Sequence, residues 1–125
     1  MQDFRNLSVW QKAHKLTLEV FAISATFAHP PYYSLRSQMT RAAMSIPANL
    51  AIGTGRTGDP EFRRFARIAL GSASELEYHL LLARDLGLVP AATHDRLSEG
   101  VVEIKRMLAG LIAKLSNKPE LMADS

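Results

Sequence analysis

Cysteine is absent from this 125-residue sequence, which excludes a disulfide framework, thiolate catalysis, zinc ribbons and iron–sulfur ligation. Long apolar runs are also missing, because no stretch approaches the roughly 20 apolar residues that a membrane span needs. The first residues include acidic Asp3 and no extended apolar core, which argues against a signal peptide. We therefore expect a cytoplasmic protein with no membrane partner.

Strand signals are sparse, since alternating apolar and polar residues are rarely sustained and Ala and Leu dominate over Val, Ile and Thr. Apolar residues instead recur at steps of three and four, the spacing typical of one face of a helix. This spacing occurs in four segments. Their apolar positions are Val9, Ala13, Leu16, Val20, Ile23 and Phe27; Leu35, Met39, Ala42, Ile46 and Leu50; Phe62, Ala66, Ala69, Ala73, Leu76, Leu80 and Ala83; and Leu97, Val101, Ile104, Leu108, Leu111 and Leu115.

Four such segments joined by short loops predict an all-α protein, an antiparallel up-down-up-down four-helix bundle. The bundle is expected to occupy residues 1–118, and residues 119–125 are expected to be a frayed tail. Pro47 lies inside the second pattern and removes the N–H that would pair with a preceding carbonyl, so a bend is expected there. Ser45 and Asn49 flank Pro47 and are candidates to satisfy the freed backbone groups.

The ends of the helices carry recognisable signals. Asn6 or Ser8 is expected to cap the first helix, Asp59 the third and Thr93 the fourth. Gly87 follows the last apolar turn of the third pattern, so it is expected just beyond that helix.

The apolar surface is wider than the four stripes require. Large apolar residues that lie outside them include Trp10, Phe21, Phe65, Ile68, Leu81, Leu82, Met107 and Ile112. Extra apolar positions indicate either a broad core or a contact between subunits, and the pattern alone leaves both open.

Motifs for chemistry are weak. The glycines of residues 53–58 match dinucleotide-binding spacing, but a helical pattern precedes them where that fingerprint needs a strand, so an interhelix turn is indicated. The four histidines lack the spacing of a metal site. Glu75 and Glu77 lie on either side of Leu76 and therefore point to different faces of a helix. This arrangement favours ion pairs with a neighbouring helix over paired acid–base catalysis, which needs both carboxylates on one face. We expect no enzymatic activity, no cofactor, no metal and no small-molecule substrate.

Positive charge is unevenly distributed along the chain. Residues 1–58 contain six basic and two acidic residues, whereas residues 59–125 contain nine basic and ten acidic residues. A basic face would attract phosphates, and the candidate DNA- or RNA-binding residues are Arg56, Arg63, Arg64 and Arg67, with Arg36 and Arg41 as weaker candidates. The alternative is a solvated helix end with internal salt bridges.

Four motifs in the same order carry a resemblance to a known family. Residues 45–53 (SIPANLAIG) with Arg56 resemble one signature of the four-helix bundle proteins encoded in intervening sequences of bacterial 23S ribosomal RNA genes. Residues 71–77 (GSASELE) resemble the second signature, while residues 4–13 and 38–42 are similar to the lead-ins of the first and second helices.

This resemblance implies an up-down bundle that assembles into a ring-shaped homopentamer. It also implies kinship with the basic pentameric accessory proteins of diversity-generating retroelements, which act with nucleic acid, and it implies no enzymatic activity. The chain departs from the family at Ile52, where a Glu is usual. Together with the charge distribution, the resemblance favours a homo-oligomer that binds nucleic acid non-specifically; the alternative is a structural or protein-interaction scaffold that binds none.

Overall fold

The computed structural model describes residues 3–116, in which every regular element is a helix. The four α-helices are α1 (Ser8–Ser24), α2 (Tyr33–Gly55), α3 (Asp59–Asp85) and α4 (Ala91–Ser116), and short 3₁₀ turns precede α1 and α2. The predicted all-α class is therefore confirmed. The predicted frayed tail, 119–125, lies outside the described residues. Among the described helices none is long and apolar enough to cross a bilayer.

Each helix packs against the next along the chain, and α4 packs against α1 to close the bundle. The direction of α4 relative to α1 follows from two ion pairs. Lys12 pairs with Glu103 and Glu19 pairs with Arg96, so residue numbers rise along α1 as they fall along α4. Because each helix packs against the next and α4 packs against α1, the face formed by α1 and α2 lies opposite the face formed by α3 and α4. The predicted up-down-up-down bundle requires this arrangement.

The four predicted stripes form the core. Nearly all of their residues are buried, and Ile23 and Leu111 are half-buried at its edge. Small residues line the contact between α2 and α3, and Gly53 is a point of close approach. A Cβ atom at Gly53 would lie 2.8 Å from Cδ1 of Phe62 and 3.2 Å from Cβ of Phe65. Glycine at this position therefore permits the contact between the two helices.

Pro47 is accommodated inside α2, which remains helical on both sides of it. The carbonyl that Pro47 leaves without its helical donor is that of Ala43. The hydroxyl of Thr17 on α1 lies 3.1 Å from this carbonyl oxygen and 2.7 Å from that of Ala13. The expectation that residues flanking Pro47 on α2 would satisfy the freed group is therefore wrong, because a neighbouring helix does so. The bend itself stays a prediction.

Of the four helix-end predictions, three N-caps and the glycine beyond α3, only the glycine prediction is confirmed. Gly87 has a positive φ of 75° beyond the end of α3, and the Leu88 N–H donates to the Ala83 carbonyl, as in a Schellman motif. The three predicted N-caps are wrong by one to three residues. Leu7 precedes α1, Gly58 precedes α3, and α4 starts at Ala91, so that Thr93 lies within α4. Backbone turns set these starts in place of capping side chains.

Candidate nucleic-acid and subunit interfaces

A basic surface forms where α2 ends and α3 begins. Arg56 directly follows the last residue of α2 and has an extended backbone conformation. Its guanidinium carbon lies 5.3 Å from the centroid of the Phe65 ring. The guanidinium carbon of Arg64 lies 4.6 Å from the same ring, and its Nε atom lies 3.4 Å from a carboxylate oxygen of Glu61. Phe65 is buried in the bundle, and both guanidinium groups lie within cation–π distance of its ring. We call Arg56, Arg64 and Arg67 the basic end.

Arg67 completes the basic end, because it lies one turn beyond Arg64 on α3 and is exposed. Arg63 is placed differently: it is half-buried and donates a hydrogen bond of 3.3 Å to the Leu115 carbonyl at the end of α4. A cation at this position stabilises the last turn of α4 through its unpaired carbonyls.

The two weaker candidates lie elsewhere on α2. Arg36 and Arg41 precede Arg56 by 20 and 15 positions, which separates them by about 30 and 22 Å along the helix. Arg41 is exposed, whereas Arg36 is half-buried with its guanidinium carbon 4.4 Å from the Tyr33 ring centroid. The six candidates therefore do not form one surface.

An apolar groove of about 510 Å³ runs along the outer face between α1 and α2. Leu18, Phe21 and Met44 line it and are exposed, with Leu18 showing 59% of its surface. At one end, the Trp10 ring stacks on His14 with centroids 4.9 Å apart and an angle of 9°. The groove is much more apolar than an ordinary exposed helix face.

A second, smaller apolar patch, formed by Tyr78 and Leu81, lies on the opposite face between α3 and α4, in a cleft whose other lining residues are polar. Tyr78 is 58% exposed and Leu81 is also exposed, and both line a cleft that includes His94 and Ser98. The sequence left open whether the surplus apolar residues serve a broad core or a contact. Phe65 belongs to the core, while Phe21, Ile68 and Leu81 remain exposed.

The lateral faces of α4 carry charges of both signs. Lys12 pairs with Glu103 and Arg96 with Glu19 across α1 and α4. Between α3 and α4, the Lys105 Nζ atom lies 2.8 Å from a carboxylate oxygen of Glu77. The expectation that Glu75 and Glu77 form ion pairs with a neighbouring helix is thereby confirmed for Glu77 and wrong for Glu75, whose carboxylate faces His79 of its own helix.

Glu75 and His79 interact within α3. The Nε2 atom of His79 lies 3.6 Å from a carboxylate oxygen of Glu75, and its buried Nδ1 atom has no hydrogen-bond partner among residues 3–116. Burial lowers the pKa of His79 below 6.5, and the carboxylate of Glu75 opposes part of that shift. In the described part of the chain, no three His, Asp or Glu residues form a group that could hold a metal ion.

Sequence reasoning missed two features of these surfaces. It left open whether Phe65 serves the core or a contact, and it did not foresee that the Phe65 ring contacts the guanidinium groups of Arg56 and Arg64. It also missed Leu18 and Met44, although Leu18 lies four residues after His14 and three before Phe21, a spacing that marks a second apolar stripe on α1.

Both the sequence and the fold are similar to those of known proteins. A model of the 23S rRNA-intervening sequence protein family matches residues 5–110. The fold is similar to a crystal structure of a protein with unknown function from the S23 ribosomal protein family of Bacteroides thetaiotaomicron. That chain is 21% identical, and the match covers 83% of this chain and 97% of that one with a TM-score of 0.78, which shows a common fold. No curated protein matches this chain.

Proposed function

Because this chain belongs to the family of 23S rRNA-intervening sequence proteins, which is defined by sequence and not by a reaction, we propose its function from its surfaces. The protein is a non-enzymatic homo-oligomer that binds nucleic acid without sequence preference. The observation that supports assembly is the pair of apolar patches on opposite faces of the bundle. The observation that supports binding is the basic end.

The two apolar patches favour a head-to-tail contact between subunits. A groove on the α1–α2 face of one copy that receives Tyr78 and Leu81 from the α3–α4 face of the next uses a different surface on each side of every subunit. Contacts of this kind close into rings when the rotation per subunit allows it. Five subunits is the number that the family resemblance implies. A stable monomer in light scattering at micromolar concentration would contradict this assembly.

The proposed nucleic-acid binding depends on the positive charge of the basic end and on the number of copies of that site in the oligomer. Arg56, Arg64 and Arg67 offer guanidinium groups that pair with phosphate oxygens, and backbone contacts of this kind carry little sequence information. One basic end is a weak site. A ring repeats the site in each subunit, so the avidity of the oligomer exceeds the affinity of one subunit when a strand reaches several of them.

Salt dependence tests this proposal. Fluorescence anisotropy with labelled duplex DNA and single-stranded RNA should show that log affinity falls linearly with log salt, with a slope of about 0.9 per phosphate neutralised on duplex DNA. The double variant Arg56→Gln/Arg67→Gln should flatten the slope. Arg84→Gln is the matched control, because Arg84 pairs with Asp85 at the opposite end of the bundle.

Two results would overturn nucleic-acid binding: no binding by the wild type at low salt, where charges are least screened, or equal slopes for the double variant and the control. The function would then be that of a structural or protein-interaction scaffold. The paired charges along α4 favour this second candidate, because a surface of mixed sign repels phosphates as much as it attracts them.

A further inference from the structure

A cleft of about 310 Å³ lies between the end of α1 and the start of α2, and no motif in the sequence indicates it. We propose that this cleft binds a nucleotide, with the phosphate on Arg36 and the base against Phe21 and Tyr33. The proposal goes beyond the proposed function, because the basic end lies about 30 Å further along α2.

Arg36 is placed to receive an anion. The residue is half-buried and its guanidinium carbon lies 4.4 Å from the Tyr33 ring centroid, and the ion pairs formed among residues 3–116 include none with Arg36. The surrounding sequence contains no acidic residue between Glu19 and Asp59, and Glu19 pairs with Arg96 on another face. A half-buried cation without a carboxylate is satisfied by an anionic ligand, and the planar guanidinium fork matches phosphate oxygens.

Hydrogen bonds hold several of the side chains that line the cleft, and part of the lining is apolar. Tyr33 is fixed because its hydroxyl donates a hydrogen bond of 3.3 Å to the Ala28 carbonyl. The Thr40 hydroxyl donates to carbonyls of its own helix. Ser37 lines the cleft beside Arg36, and within the described residues its carbonyl accepts from Thr40 while its hydroxyl has no hydrogen-bond partner, so that hydroxyl is available as a second donor.

The combination of these groups selects the class of ligand. Inorganic phosphate would leave the exposed rings of Phe21 and Tyr33 uncovered, and an uncharged aromatic compound would leave Arg36 without an anion. A phosphate joined to a flat ring satisfies both, because nucleobases stack on aromatic and guanidinium planes. The volume is at the lower end for small-molecule sites and suits a mononucleotide.

Calorimetry with adenosine monophosphate tests the site. The wild-type protein should bind it, whereas adenosine and inorganic phosphate alone should bind about tenfold more weakly or not at all. Arg36→Gln and Tyr33→Leu should each weaken binding about tenfold; Phe21 is kept in this test because it also lines the apolar groove between α1 and α2. Arg41→Gln is the matched control, because it removes an exposed arginine of the same helix outside the cleft, and it should leave binding unchanged.

Competition distinguishes a free nucleotide from a nucleotide within a strand. If adenosine monophosphate displaces a labelled single-stranded oligonucleotide and Arg36→Gln weakens that oligonucleotide, the natural ligand is part of a strand; if neither occurs, it is a free nucleotide. Absence of wild-type binding at millimolar nucleotide, or equal binding by Arg36→Gln, overturns the site. Such a result leaves the basic end untouched, since the Arg56→Gln/Arg67→Gln variant tests that surface separately.

Discussion

His79 shows how burial turns a single residue into a determinant of pH-dependent stability. Protonation would place a second N–H on a ring whose Nδ1 atom is buried without a partner, and an unmet buried donor is costly. Burial of the ring disfavours its charged form and is the main reason that the pKa of His79 in the folded protein lies below 6.5, the usual value for histidine, although the Glu75 carboxylate opposes part of this shift. As the pH falls below 6.5, the unfolded chain takes up a proton that the folded chain refuses, so stability decreases.

We expect the free energy of unfolding to fall between pH 7.5 and pH 5.5, and we expect His79→Gln to remove part of that fall. Urea denaturation at the two pH values measures the difference. His14→Gln is the control, because His14 lies exposed on α1. The same pH dependence in His79→Gln and in the wild type would contradict the argument.

Gly53 and Gly71 are two helical glycines with opposite surroundings. Gly53→Ala places a methyl group 2.8 Å from the buried Phe62 ring and should destabilise the fold by about 1–3 kcal/mol, more than the gain in helix propensity returns. Gly71→Ala meets nothing within 4 Å and should stabilise it by about 0.5–1 kcal/mol. Thermal denaturation of both variants checks the pair, and a stabilising Gly53→Ala would show that the approach of α2 to α3 is loose.

At the scale of the helices, the stability of α2 depends on a group supplied by α1. Thr17→Val should cost about 1–2 kcal/mol, because it leaves the Ala43 carbonyl without a donor. In a Pro47→Ala background the restored N–H serves that carbonyl, so the same substitution should cost less. A double-mutant cycle by chemical denaturation measures this coupling.

The control for this cycle is Thr40→Val, because the Thr40 hydroxyl donates only within its own helix. Its cost should be small and independent of Pro47. Equal costs of Thr17→Val with and without Pro47 would mean that the Ala43 carbonyl finds another donor.

At the scale of the whole molecule, the proposed head-to-tail contact makes a prediction that distinguishes it from a two-fold contact. Leu18→Glu blocks the groove and Tyr78→Asp blocks the opposite patch, so each variant alone should be monomeric. Both side chains are more than half exposed in the single chain, so neither change should unfold it. Mixing the two variants restores one intact contact and should give a one-to-one dimer in light scattering.

Leu86→Glu is the control for this experiment, because Leu86 is exposed outside both apolar patches. It should keep the oligomer of the wild type. A mixture that stays monomeric would contradict the head-to-tail arrangement.

The four helices and the residues of the core could be predicted from local patterns. Stripes at steps of three and four identify the buried face of each helix, because burial of that face is the main favourable term in folding and its period is set by helix geometry. The C-terminal signal at Gly87 was equally local, since a positive φ there follows from the missing Cβ. The N-caps were less predictable, because backbone turns at Leu7 and Gly58 compete with capping side chains.

Which exposed arginines are available for binding, and which side chains lie beside them, depends on how the helices pack. Arg63 and Arg67 look equivalent in the sequence, but α4 ends beside Arg63 and engages it through the Leu115 carbonyl. Arg36 looks like one more surface cation until the end of α1 and the Tyr33 ring enclose it. A side chain's availability depends on the neighbours that packing brings to it, and the neighbours that distinguish these arginines, Leu115 beside Arg63 and Phe21 in the cleft with Arg36, lie far away in the sequence.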